Sequence, residues 1–180
     1  MPTVLALLAE GFEEIEFVAP VDLLRRAGVT VTTASIGESI HVTGRSGITL
    51  HTDTLLSVVD AAAFDLLFLP GGPGVKNLRA DPRVAKLAKN QMAAGKWIGA
   101  ICAAPTVLND AGLLAGRRYT AHFSTANELS EIIANERVVV DGKLITSRGA
   151  GTAIEFGLAL VGALISKAKA DEVARSVCFE

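Results

Sequence analysis

The side chain best suited to covalent chemistry in this chain is Cys102, set in the run "WIGAICAAPTVL" at 97–108. Five strand-like residues lead to the thiol, and Ala-Ala-Pro-Thr-Val-Leu-Asn after it reads as the opening of a helix. A nucleophile on a sharp strand-to-helix bend is held with its side chain exposed and its neighbours' amides aimed forward. A helix start also favours anions, so this placement is expected to lower the thiol pKa from its free value of ~8.5. A small apolar thiol serving only to fill space would have no need of such a bend.

Two further residues could act with it. When residues 13–27 are set on a helix at ~100° per residue, Glu14, Asp22, Arg25 and Arg26 share a polar side. Glu16 falls on the apolar side, between Leu23 and Ala27 and close to Pro20. A carboxyl there must be protonated, paired or functional, because desolvation penalises its charged form and raises its pKa. Pro20 lacks the amide that would bond the Glu16 carbonyl, which loosens the helix at that point. An acidic first turn that suits the helix dipole accounts for Glu13 and Glu14 but poorly for Glu16. His122 follows a short strand near Tyr119-Thr120 and could reach the same edge as Cys102. It reads equally as a base for the thiol and as an ordinary polar loop residue. His41 and His51 lie in a separate hairpin and receive no catalytic role.

The elements that must position these groups follow from hydrophobic periodicity. Continuous apolar runs at 3–9 and 64–70 read as strands covered on both faces, with further strands at 28–35 and 97–101. Helices are expected over 13–27, 81–95, 103–111 and near 125–134. The third of these follows Cys102, and the second is capped by Asp81 with Pro82 at its first position. Residues 40–53 read as a β-hairpin excursion around Gly44–Gly47, and 137–147 as a strand pair turning at Asp141-Gly142. "TAIE" at 152–155 reads as a capping box opening a last long helix. Strands alternating with helices imply an α/β fold with an open, mostly parallel sheet and helices on both faces. In such sheets ligands bind at the carboxyl ends of the strands. Four unusual turns are expected there: Glu10-Gly11, "PGGPG" at 70–74, Cys102-Ala103 and "SRGAG" at 147–151.

Composition narrows the function classes. The chain has 180 residues, half of them apolar, and a formal charge of −2, which suits a single domain spanning 1–180. Arg25-Arg26 and Arg117-Arg118 are the only basic doublets, so neither nucleic acid nor an anionic membrane is an expected partner. "VLALLA" runs straight into Glu10, Glu13 and Glu14 and reads as a strand rather than a signal peptide. Two cysteines make no disulfide framework, which points to a reducing, cytoplasmic setting. "GGPGVKN" fits neither phosphate-loop nor dinucleotide patterns, and no metal-ligand spacing occurs, so no cofactor and no metal are expected.

Taken together, these segments resemble the ThiJ/PfpI superfamily, in the branch of the parkinsonism-associated protein DJ-one and its bacterial homologues. "AEGFEEIEFVAPVDLLRRAGVTVTTAS", "LPGGPG", "GAICAAP" and "LITSRGAGT" carry the likeness along nearly the whole chain. The resemblance implies a flavodoxin-like three-layer α/β/α sandwich and a homodimer. It makes Cys102 the nucleophile and Glu16 its protonated hydrogen-bond partner, with His122 close by. It assigns Gly71, Gly72 and Ala103 to an oxyanion or substrate site through their backbone. It also brings Arg25 or Arg26 from the opening helix near the site within the dimer. Ala150 and Phe123 stand where the family commonly has prolines, and Cys178 lies outside the pattern.

The activity so implied is a cofactor-independent, D-lactate-forming glyoxalase, or a deglycase, acting on 2-oxoaldehydes of the methylglyoxal type. An oxidative-stress sensor or redox-regulated chaperone built on the same thiol is the alternative. A Cys-His peptidase or amidotransferase is the weakest expectation, because Ala103 occupies the position after the cysteine and no histidine follows His122.

Overall fold

A computed structural model describes residues 1–60 and 64–179. Strand β1 (Thr3–Leu8) carries branched and apolar residues on both faces, and side-chain alternation sends them to two cores. Val4, Ala6 and Leu8 join one core cluster, while Leu5 and Leu7 join the other. Helix α1 (Glu14–Arg26) follows, then β2 (Thr30–Ser35), a separate antiparallel pair β3 (His41–Thr43) and β4 (Thr49–His51), and the short β5 (Thr54–Leu55). Next come β6 (Leu66–Leu69), α2 (Val75–Ala80), α3 (Pro82–Ala93), β7 (Trp97–Ile101) and α4 (Pro105–Asp110). The chain closes with β8 (Val138–Asp141), β9 (Leu144–Ser147), α5 (Ala153–Leu164) and α6 (Lys167–Ser176).

Among the described residues the main sheet has seven strands in the order β5-β2-β1-β6-β7-β9-β8. All its neighbours are parallel except β8 and β9. Helices α1 and α5 cover one face and α2, α3 and α4 the other, giving the expected flavodoxin-like sandwich. The two covering helices of the first face cross closely because Gly157 lets them. A Cβ at Gly157 would lie 2.7 Å from Leu23 Cδ1 and 3.0 Å from Pro20 Cα. Pro20 therefore sits at a helix crossing and leaves α1 unbroken.

Several expectations need correction. Residues 125–134 form no helix: a 3-10 turn at Phe123–Thr125 runs into irregular turns, and Tyr119 makes a single bridge to Ile132. Thr120 and Thr125 take the backbone instead, with their hydroxyls bonded to Ile133 O and His122 O. The β8–β9 loop is Gly142-Lys143 rather than Asp141-Gly142, since Asp141 already pairs with Leu144. "TAIE" makes no capping box: Thr152 Oγ1 turns back to Gly149 and Ser147, and Glu155 pairs with Arg137 at 2.6 Å. The helix after Cys102 is shorter than expected, six residues beginning at Pro105. Asp81 does cap α3, accepting from the Arg83 amide at 2.9 Å.

Candidate active site

The chain leaves β1 toward β2 on one side and later returns to β6 on the other, so a crevice opens at the carboxyl edge beside β1. The turns after β6, β7 and β9 meet the start of α1 around a cavity of about 370 Å³ that Glu16, Arg45, Gly72, Cys102, His122 and Ala150 help to line. Three of the four expected turns thus supply it. Glu10 of the fourth faces away, accepting from the Thr43 amide at 3.1 Å.

Cys102 occupies the bend as expected, with φ of +64°. That conformation costs a non-glycine residue on the order of 1–3 kcal/mol and persists only where surroundings over-determine it. Here they do: the Cys102 amide donates to Ser147 O at 2.9 Å, and the His122 amide donates to Cys102 O at 2.8 Å. The residue is partly buried. The amides of Gly72 and Ala103 both point at it. Gly72 has φ of +92°, and a Cβ there would lie 2.5 Å from the Glu13 amide nitrogen. At Gly71 a Cβ would run into the Glu16 carboxyl and come within 2.5 Å of Cys102 Cβ. Glycine at both positions is what lets the loop touch the thiol and the acid together.

Glu16 is 1% exposed, on the buried stripe where the wheel put it. Burial pushes its carboxyl up to about 7, with the nearby Glu13 charge adding to the rise. Hydrogen bonds from Cys102 and from the Gly71 and Ala150 amides oppose the rise without cancelling it. Among the described residues Glu16 Oε2 has no hydrogen-bond partner.

The thiol itself departs from expectation. Burial first, then the charge and hydrogen bond of the Glu16 carboxylate, push Cys102 up to about 12, against the Gly72 and Ala103 amides. A six-residue helix offers little dipole to set against burial and the neighbouring carboxylate. Two negative charges do not coexist at this contact, so sulfur and carboxyl titrate as one unit holding a shared proton. Once the carboxyl takes that proton the repulsion vanishes, and the two amides remain to hold a thiolate.

His122 reaches the same cavity. A Cβ at Gly149 would lie 3.4 Å from His122 Cδ2, 3.6 Å from Glu16 Oε1 and 3.9 Å from Cys102 Sγ, so the three groups converge on that backbone. The Ser124 amide donates to His122 Nδ1 at 3.3 Å, and Ser124 Oγ stands 2.8 Å from the same nitrogen. Nδ1 being an acceptor, the neutral ring carries its proton on Nε2 and presents a donor there. A general base for the thiol is therefore better sought in Glu16 than in His122.

Arg25 and Arg26 do not line this cavity within the chain: Arg25 pairs with Asp53 at 3.1 Å and Arg26 with Asp22 at 2.7 Å. Sequence reasoning missed Arg45, which hangs from the β3–β4 turn into the cavity and meets Glu13 Oε2 at 3.3 Å. It also misplaced Glu14, which is 7% exposed rather than on the polar side. Glu14 Oε1 accepts from the Ser46 amide at 2.8 Å and the Ile48 amide at 3.4 Å, clasping the hairpin onto α1. Among the described residues no three His, Cys, Asp or Glu side chains group closely enough to hold a metal ion. No described helix is long and apolar enough to cross a membrane.

A strained thiol and a buried acid at the carboxyl edge place the chain in the class of flavodoxin-like proteins organised around an elbow cysteine. Comparison with known proteins makes the assignment specific. The DJ-1/PfpI family profile matches residues 2–163, and the chain belongs to that family. It is 41% identical to Protein DJ-1 homolog A of Arabidopsis thaliana, over 95% of this chain but only 45% of that longer protein. It is 36% identical to the Glutathione-independent glyoxalase DJR-1.2 of Caenorhabditis elegans, covering 94% of this chain and 92% of the relative. The crystal structure of Drosophila melanogaster DJ-1beta superposes with a TM-score of 0.96 at 38% identity, covering 99% of this chain and 98% of that one.

Proposed function

We propose that the Cys102 cavity converts 2-oxoaldehydes of the methylglyoxal type, or their early adducts, to 2-hydroxy acids without a cofactor. The observation that carries this reading is the contact between a thiol and a buried carboxyl held up to about 7. A group near neutrality can both give and take a proton at working pH. The nematode relative, described as a glutathione-independent glyoxalase, supports it.

In the first step the thiol proton passes to the Glu16 carboxylate, and the sulfur adds to the aldehyde carbon. The carbonyl electron pair moves to oxygen, where the Gly72 and Ala103 amides and the Nε2–H of His122 are the donors at hand. Protonated Glu16 hands its proton to that oxygen, which gives the hemithioacetal and frees the carboxylate. The carboxylate then takes the carbon-bound proton to leave an enediolate and returns it to the adjacent carbon, while the proton of the first hydroxyl moves to the neighbouring oxygen, leaving the thioester of a 2-hydroxy acid. Water then cleaves the thioester, releasing the hydroxy acid, D-lactate from methylglyoxal, and restoring the thiol. Arg45 is placed to receive an oxygen of the substrate. Purified protein should therefore form lactate from methylglyoxal with no added thiol; no turnover by the reduced protein would reject the reading.

The homodimer belongs to the same proposal. Ile15 and Val18 on the outer side of α1, with Ile48 on the hairpin, are 46–56% exposed and offer an apolar face for a second copy. Arg25 and Arg26 lie on that helix, and sedimentation of a Val18→Glu variant as a monomer would support the assignment.

A redox reading has its own observation. The unpartnered Glu16 Oε2 could serve an oxygen added to the Cys102 sulfur by peroxide. Intact mass after mild peroxide, showing two oxygens gained in parent protein and none in Cys102→Ser, would favour it.

A further inference from the structure

The hairpin that carries Arg45 also holds two of the chain's three histidines, and the cavity chemistry uses neither. His41 and His51 are direct cross-strand partners in the β3–β4 pair. The Gly44 amide bonds Ile48 O, and the Thr52 amide bonds Ile40 O, so those rungs are hydrogen-bonded. Rungs alternate along an antiparallel pair, which makes His41 and His51 a non-hydrogen-bonded rung, the kind whose side chains stand closest. In the single chain both are exposed, His51 beside the groove that Val18 also lines, and their ring centroids are 4.9 Å apart with planes at 74°.

That spacing admits a bridging metal ion. An imidazole nitrogen binds a transition metal at about 2.0–2.1 Å, which puts each ring centroid roughly 3.2 Å from the ion. Two such rings at a metal angle of about 90–109° have centroids roughly 4.5–5.2 Å apart, and the observed separation falls inside this window. The backbone beneath is fixed on both sides. The Gly11 amide donates to Thr43 O at 2.8 Å, and the Thr52 hydroxyl, on a residue 1% exposed, donates to Ile40 O at 3.1 Å beside the pair. Chelation would thus order two side chains and little else, which keeps its entropic cost small.

We propose that His41 and His51 form a two-point chelate for a divalent transition-metal ion of the imidazole-preferring kind, Cu²⁺, Ni²⁺ or Zn²⁺. Asp53 is committed to Arg25 and Thr33, so water completes the coordination. Hard cations such as Mg²⁺ and Ca²⁺, which prefer oxygen donors, are not held. The ion ties β3 to β4 at the base of the hairpin whose tip hangs into the Cys102 cavity.

The test is calorimetric titration of the untagged full chain with Ni²⁺. His41→Ala and His51→Ala should each weaken binding at least tenfold, the double variant should be no weaker than either single, and His122→Ala should bind as the parent does. Mn²⁺ should bind at least tenfold more weakly than Ni²⁺, following the intrinsic order of first-row divalent ions. The midpoint of thermal unfolding should rise with Ni²⁺ in the parent and in His122→Ala, and not in the His41 or His51 variants. Binding that survives loss of either histidine, or that His122→Ala abolishes, would overturn the assignment. So would independent losses in which each single variant keeps half of the effect.

Discussion

Glu14 and Glu16 stand two residues apart on α1, both shielded from water, and the fold moves their carboxyls in opposite directions. At Glu14 burial pushes upward, but the amides of Glu14 itself, Ser46 and Ile48 together pull harder, leaving it below the usual carboxylate range. At Glu16 burial wins, because what faces it is a thiol and few donors, and the carboxyl sits at about 7. Burial therefore does not decide the charge of an acid; the donors that meet it do. One carboxylate is spent on architecture, holding the hairpin, while the other is left able to exchange its proton.

The sharpest way to separate the two is to remove each. Cys102→Ala should reduce methylglyoxal turnover to the uncatalysed background, and Glu16→Gln should lower it roughly 10²–10⁴-fold, the range for a lost general acid–base. Glu14→Gln, assayed for lactate formation under the same conditions, should keep kcat within about tenfold, since it touches only the hairpin clasp. If Glu14→Gln were the more damaging of the two, the division of labour would be wrong.

Stability should divide them in the opposite sense. Glu16 binds its proton more tightly in the folded state than at its ordinary 4.5, so its cost is absent below pH 4.5, grows through the interval, and is complete above about 7. That shift corresponds to on the order of 3 kcal/mol. Glu16→Gln should accordingly be more stable than the parent at pH 8, with the gap closing as pH falls to 4.5. Glu14 contributes stability above its unfolded pKa and loses it on acidification, so Glu14→Gln should be the less stable protein at pH 8, by about 1–3 kcal/mol. Its deficit should shrink in acid. Urea unfolding of the three proteins across pH 4–8 reads both signs.

A smaller effect probes the clasp from the other side. Gly44→Ala places a methyl against the Glu14 carboxyl, within 2.5 Å of Cδ, and should cost about 1–3 kcal/mol of stability without changing the pH profile of turnover. Smallest of all is Cys178→Ser. Cys178 is exposed and shares the positive φ of Cys102, at +55°, but lies outside the cavity that holds Glu16 and the Gly72 and Ala103 amides. Turnover should stay within roughly twofold of the parent, which would show that a strained thiol alone is not a nucleophilic site.

Much of the architecture was readable because it rests on local, repeating signals. The two-sided apolar runs marked β1 and β6, the Asp81-Pro82 pair marked the start of α3, and the wheel put Glu16 on the buried stripe. Where the reading failed, a distant partner had overridden a local rule. Glu14 looked solvent-facing until the hairpin folded over it, and Thr152 fits a capping pattern but bonds the Ser147–Gly149 turn instead. Arg45 gave no sign of belonging with Cys102, because nothing along the chain links the hairpin tip to the elbow.

The order of residues by itself determined the α/β alternation, the bend at Cys102 and the burial of Glu16, since each depends on neighbours within a turn or a strand. Only the tertiary structure decided the proton balance. The state of the thiol depends on which acid and amides converge on it from separate elements of the chain, and electrostatic interactions of that range are set by distances through space.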